Sequence, residues 1–245
     1  MQVNHIITGL NDGGAEAVLF RLCMHDAAHQ HVVISLSNEG KYSPLLREKG
    51  IVVHTLGLRP NRPSPLAFWR LVRLLRSHKP DVVQTWMVHA DLLGGLAARM
   101  AGIKTIVWGI RQTTLEPGKS KKTTIWIAKL LAKLSWWLPS RIAVCAQRAM
   151  DVHEALWYDL SKMRFIPNGY DLSDFTPQPE AGAALRASID VTSDTPLIGT
   201  VGRYDPQKDH ANLLCALAIL KSRNWAFHCV LVGTELDEDN SELMA

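Results

Sequence analysis

Short runs rich in β-branched residues alternate with longer stretches of helical period, and this alternation constrains the fold more than any other feature. Val3–Ile7, Val32–Leu36, Val52–Leu56, Val82–Thr85, Thr105–Val107, Arg141–Val144 and Arg164–Ile166 read as strands, and 15–23, 42–49, 65–77, 89–101, 121–138 and 147–156 as helices. Continuous apolar strands set between helices belong to a parallel sheet covered on both faces. Right-handed crossovers then predict an α/β, doubly wound, Rossmann-like domain ending near residue 170.

Residues 171–196 interrupt the pattern with Pro177, Pro179, Pro196 and a short helix around Ala183–Ile189. Alternation restarts with a strand at Leu197–Val201, a helix at Asp209–Leu220 and a strand at Phe227–Val232. The expected organisation is therefore an N-terminal domain over 1–170, a linker over 171–196, and over 197–245 the first βαβ part of a second Rossmann-like domain. A lone βαβ unit leaves both faces of a two-stranded sheet open, so that second domain reads as cut short.

Apolar residues make up 47% of the 245 and charged residues 20%, enough for a large core and too apolar for a disordered chain. Lys and Arg number 27 against 23 Asp and Glu, a net charge of +4. That excess is too mild to argue for nucleic acid and at most favours anionic ligands or membrane surfaces. Cys23, Cys145, Cys215 and Cys229 lie far apart with no CxxC pair, the usage of a reducing compartment. Met1–Gly9 has no basic stretch ahead of a long apolar run, and the most apolar window, Ile125–Leu138, carries Lys129 and Lys133. The expectation is a cytoplasmic chain, soluble or peripheral on a membrane.

Four segments carry candidate chemistry. The first strand runs into Gly9-Leu10-Asn11-Asp12-Gly13-Gly14-Ala15-Glu16 and then a helix. Glycines at such a turn let backbone N–H groups approach a phosphate, although Gly13 and Gly14 equally suit a tight turn that packs helix on sheet. The spacing does not fit the dinucleotide fingerprint GxGxxG. His89 and Asp91 follow the fourth strand, and Arg111 and Gln112 the fifth, where open parallel sheets present residues to a ligand crevice. Asp91 equally reads as a first-turn acid on the helix dipole, His89 as a helix-start residue and Arg111 as a loop ion pair. Arg203 and Lys208, in Gly202-Arg203-Tyr204-Asp205-Pro206-Gln207-Lys208-Asp209, bring two cations to a helix N-terminus and suit an anion. His25, His29 and His31 mix helix and strand spacing and argue weakly for metal; no acidic cluster suggests a divalent ion.

Five pieces in order resemble the GT-B glycosyltransferases of family four. They are Gly13–Glu16, the Asp81–Thr85 strand with His89, Arg164–Asp171 with Phe175, Gly202–Asp209 and Leu231-Val232-Gly233. The resemblance implies a retaining transferase that uses a nucleotide-diphosphate sugar, with the acceptor on the first domain, the donor on the second and the active site in the interdomain cleft. It assigns Arg203 and Lys208 to the donor diphosphate, assisted by the backbone at Gly13 and Gly14, with His89 and Arg111 as catalytic candidates and no metal or other cofactor. Fixed cations would stabilise the leaving diphosphate in place of a metal. The implied acceptor is a glycan or lipid-linked molecule of envelope polysaccharide or glycolipid synthesis, and Pro167–Asp171 is implied as the hinge. The chain departs from the family pattern in two places. Arg111-Gln112 stands where many relatives carry a His, and the late glutamates Glu235, Glu238 and Glu242 do not form the family's pair with seven residues between. As written the chain is expected not to transfer sugar alone. A sugar-nucleotide epimerase of the same architecture, or a non-catalytic remnant that binds an acceptor, membrane or partner, are the competing readings.

Lys122, Lys129 and Lys133 form one narrow stripe on the helix expected over 121–138, with Trp126, Trp136 and Trp137 around them. Such a helix either lies in the surface of the inner membrane or is mostly buried with its lysines reaching water.

Overall fold

A computed structural model describes residues 1–59, 64–116, 118 and 120–244, and the chain divides into two compact units, 1–169 and 170–245. In the first unit the strands are β1 (Gln2–Ile7), β2 (Gln30–Ser35), β3 (Val52–Thr55), β4 (Val82–Trp86), β5 (Ile106–Ile110), β6 (Arg141–Val144) and β7 (Met163–Phe165). The helices are α1 (Gly14–His25), α2 (Tyr42–Glu48), α3 (Pro65–His78), α4 (Val88–Met100), α5 (Lys122–Leu134) and α6 (Gln147–Glu154). All seven strands pair in parallel in the order β3-β2-β1-β4-β5-β6-β7. The order reverses between β1 and β4, which opens a crevice at their carboxyl ends.

Alternation along each strand feeds a separate core on each face of the sheet. Ile6 and Ile34 point into the larger core with Leu71, Leu75, Trp108 and Leu131, whereas Ile7 and Val33 point into the smaller one with Leu10, Leu19 and Trp86. Each fully buried Leu or Ile contributes about 1.5–3 kcal/mol. Gly94 and Gly95 let α4 settle closely on the sheet: a Cβ at 94 would lie 2.9 Å from Thr85 Cγ2, and one at 95 would lie 3.0 Å from Trp108 Nε1.

The helix expected over 121–138 stops at Leu134. Its apolar period runs on through Leu138, which is buried, but Ser135–Leu138 form a turn whose carbonyls take charged partners. Lys162 Nζ donates to Ser135 O and Trp136 O, and Arg99 Nη2 donates to Trp137 O and Leu138 O. Cations at the end of a helix satisfy its orphan carbonyls and complement its dipole. Arg76 does the same for the end of α4 through Met100 O, so successive helices of this layer are tied by arginine caps.

The second unit holds α7 (Pro179–Ser188), β8 (Leu197–Val201), α8 (His210–Ser222), β9 (His228–Val232) and α9 (Ser241–Met244), with β8 and β9 parallel. The segment read as a linker, 171–196, carries α7, a longer helix than expected because Pro179 pre-sets its first turn.

Candidate active site

The carboxyl ends of β1, β4 and β5 bring Thr8, Trp86 and Arg111 to adjacent strands at the reversal point. The Arg111 guanidinium lies over the Trp86 ring, 4.4 Å from its centroid, and Nη1 donates to Asn168 Oδ1 at 2.6 Å. Trp86 is itself fixed, because its fully buried indole donates to His5 Nδ1 at 3.2 Å. A cation on a clamped aromatic face is pre-aimed. Burial lowers the Arg111 pKa, with the Cys145 thiol and Asp91 acting in the opposite direction; the guanidinium stays charged. Thr8 Oγ1, in the loop after β1, and Arg111 Nε and Gln112 Nε2, in the loop after β5, are buried without a hydrogen-bond partner. Such atoms are costly unless a ligand or water meets them.

Asp91 departs from both sequence readings. It is 2% exposed, so no substrate reaches it. Burial pushes its carboxyl up to about 8, against the hydrogen bond from Thr85 Oγ1 at 2.5 Å, so at neutral pH it is mostly protonated and is no anion on the helix dipole. The charge of Arg111 therefore stays uncompensated by its acidic neighbour. His89 is half-buried in the first turn of α4, and burial followed by the charge of Lys121 holds its imidazole below the usual value, leaving it neutral. Met87 caps α4 at φ 73°, ψ 157°, a region that glycine alone occupies comfortably, and its N–H bonds Gly109 O at 3.1 Å. No sequence signal marks that strained residue between Trp86 and His89.

Gly13 is the N-cap of α1, and Glu16 folds its carboxylate back over it where a Cβ would stand. The N-terminus of α1 thus already faces a carboxylate of its own first turn. Gly14 has nothing within 4 Å of a Cβ. Gly14→Ala is accordingly expected to change stability by less than about 0.5 kcal/mol in a urea melt; a loss above 1 kcal/mol would show a hidden contact. Gly40, at φ 63°, supports the same loop from β2, since a Cβ there would run into the Leu10 carbonyl.

In the second unit the loop after β8 is pinned to the end of β9 by Gly202 N–H to Val232 O, 2.8 Å, and Tyr204 N–H to Thr234 O, 2.9 Å. Arg203 is already engaged with Asp205, through Nη2 at 2.8 Å and Nε at 3.1 Å. The Lys208 stem runs over Gly202, its Cε 3.4 Å from a Cβ built there. Both cations belong to one ordered loop ahead of α8, with Arg203 held by its own aspartate.

His29 and His31 both meet Asp26, and His31 Nδ1 lies 3.0 Å from His5 Nε2. Among the described residues the donor atoms of His5, Cys23 and His31 fall within 4.8 Å of one another. Both His5 nitrogens have partners, however, and burial pushes the Cys23 thiol up to about 12, so the group is a hydrogen-bonded cluster.

This sheet order, with candidate residues at the reversal point, defines a Rossmann-like domain of GT-B type. The structure of HepE from Anabaena in complex with UDP-glucose superposes with a TM-score of 0.81 at 20% identity, covering 100% of this chain and 64% of that one. Glycosyltransferase Family 4 matches residues 12–174, and the chain belongs to that family. It is 29% identical to the putative glycosyltransferase EpsF of Bacillus subtilis over 95% of this chain and 62% of that protein. A further relative is the Escherichia coli UDP-Gal:alpha-D-GlcNAc-diphosphoundecaprenol alpha-1,3-galactosyltransferase, 31% identical over 57% of this chain and 36% of that protein. The chain thus spans about three fifths of the first relative's length.

Proposed function

We propose that the protein transfers a sugar from a nucleotide-diphosphate sugar to a glycan or lipid-linked acceptor in envelope polysaccharide or glycolipid synthesis. The observation that carries this reading is the fixed, uncompensated Arg111 at the reversal point, with unpaired buried polar atoms in the loops after β1 and β5. Family membership, a relative named for a diphosphoundecaprenol acceptor and a structural neighbour holding UDP-glucose support it.

Arg111 stabilises anionic charge on the reacting groups, and neutral His89 orients an acceptor hydroxyl by hydrogen bonding. Lys208 and Arg203 take the donor diphosphate in place of a metal ion. The protein works at the cytoplasmic face of the membrane, in contact through 121–138. Among the described residues no helix is long and apolar enough to cross a bilayer.

Calorimetric titration with a nucleoside diphosphate tests the donor assignment. The double variant Arg203→Ala, Lys208→Ala is expected to bind about thirtyfold more weakly or worse. Lys208→Ala alone gives most of the loss, because Arg203 starts from its bond to Asp205. Equal affinity in the double variant contradicts the assignment.

A further inference from the structure

Charge along the chain is far from even. Residues 49–150 carry seventeen Lys or Arg against three acids, Asp81, Asp91 and Glu116, and the remainder carries ten against twenty. The basic segment contains α3, α4 and α5, and α4 packs against both of the others, so the three helices form one layer on one face of the sheet.

The outer stripe of each flanking helix mixes cations with large apolar side chains. On α5, Ala128, Leu131 and Ala132 face the core while Lys122, Trp126, Lys129 and Lys133 share the exposed side. The turn beyond it presents Trp136 and Trp137, 62% and 54% exposed, on a backbone held by Arg99 and Lys162. On α3, Leu71, Val72 and Leu75 face the core while Leu66, Trp69, Arg70 and Arg73 are exposed, Leu66 at 81% and Trp69 at 54%. Both stripes follow helical spacing, and neither helix contains an acid.

We infer that α3 and α5 together form a docking face for an anionic lipid bilayer. This extends the membrane contact proposed for 121–138 to a second helix, and it rests on that reading. Two rows of tryptophan with lysine or arginine match a bilayer interface, where the indoles sit at headgroup depth and the cations meet lipid phosphates. A rigid pair of helices also fixes orientation, which one helix, free to roll about its axis, does not. The carboxyl-end crevice of the sheet is then held at a set angle to the membrane that carries a lipid-linked acceptor.

Co-sedimentation of the full chain with vesicles tests this, using phosphatidylcholine alone and an equal mixture of phosphatidylcholine and phosphatidylglycerol. The chain is expected to pellet with the mixed vesicles and not with the neutral ones, and to be released as salt is raised. Neutralising α5 by Lys122→Gln, Lys129→Gln, Lys133→Gln is expected to weaken partitioning about a hundredfold, and neutralising α3 by Arg70→Gln, Arg73→Gln about thirtyfold. Loss in the α5 variant with none in the α3 variant overturns the two-helix face while the contact through 121–138 stands. Failure of the unaltered chain to pellet with either vesicle overturns both. Equal pelleting with both vesicle types overturns the role of charge, and tighter binding to single-stranded DNA than to the mixed vesicles overturns the bilayer as the occupant. Salt release needs no variant, so a folding defect in either one does not blunt the test.

Discussion

Stability is expected to fall by about 2 kcal/mol between pH 6.5 and pH 8, and Asp91→Asn to abolish that fall. Burial holds Asp91 up to about 8, whereas in the unfolded chain it returns to the ordinary carboxylate value. A raised carboxyl contributes its full stability below the unfolded value, and loses it as pH climbs towards the folded one. His5 has the opposite sign. Burial, then the neighbouring His31, lowers it to about 3, so its contribution is complete above about 6.5 and is lost as pH falls towards 3. Each group contributes a slope of about 1.4 kcal/mol per pH unit over its own window. From about pH 4 to 6.5 the slope of Asp91 opposes that of His5 and of the other histidines that burial lowers, His54, His89 and His153; above about 6.5 the slope of Asp91 remains. Urea unfolding across this range checks the account. Asp91→Asn keeps an acceptor for Thr85 and is expected to show stability rising from pH 4 to 6.5 and flat above. A constant difference between the two proteins from pH 4 to 8 would mean that Asp91 is ionised in the folded state.

Gly109→Val is expected to cost about 3 kcal/mol or more, the range for overpacking that the surroundings cannot relieve. A Cβ at 109 would stand 2.6 Å from the Thr85 carbonyl oxygen, a backbone atom of the neighbouring strand. Relief requires β4 and β5 to part. The same movement breaks the Met87 N–H bond to Gly109 O and shifts Trp86, on which Arg111 rests. A urea midpoint equal to that of the unaltered protein would show that the strands tolerate the side chain, and that Gly109 does not set their spacing.

The two periods, 2 for strands and 3.6 for helices, made the order of elements legible, because buried faces must be apolar wherever the chain goes. Ile6 and Ile7 feed opposite cores for that reason. Local punctuation was less legible: α5 ends at Leu134 because Arg99 and Lys162, distant in sequence, reward a turn there. Switch-point logic placed His89 and Arg111 just past the fourth and fifth strands, since loop position follows from strand order. It could not show that Arg111 lies on Trp86 or bonds Asn168, which is 57 residues away. Nor could it show that Asp91 is sealed beneath Thr85 and protonated, because a first-turn aspartate looks the same in sequence whether wet or dry. The bond of Arg203 to Asp205, two residues on, was within reach of the sequence and ranks Lys208 ahead of Arg203 in the proposed donor site.

The central claim is that Gly202–Asp209 grips a nucleoside diphosphate. The most direct test follows backbone amide resonances of the chain during titration with UDP and, in parallel, with uridine. The amides of Gly202–Asp205 and Gln207–Asp209 are expected to shift together and saturate with UDP, and to stay still with uridine. Equal shifts with both ligands, or saturable shifts that leave 202–209 untouched, would contradict the claim.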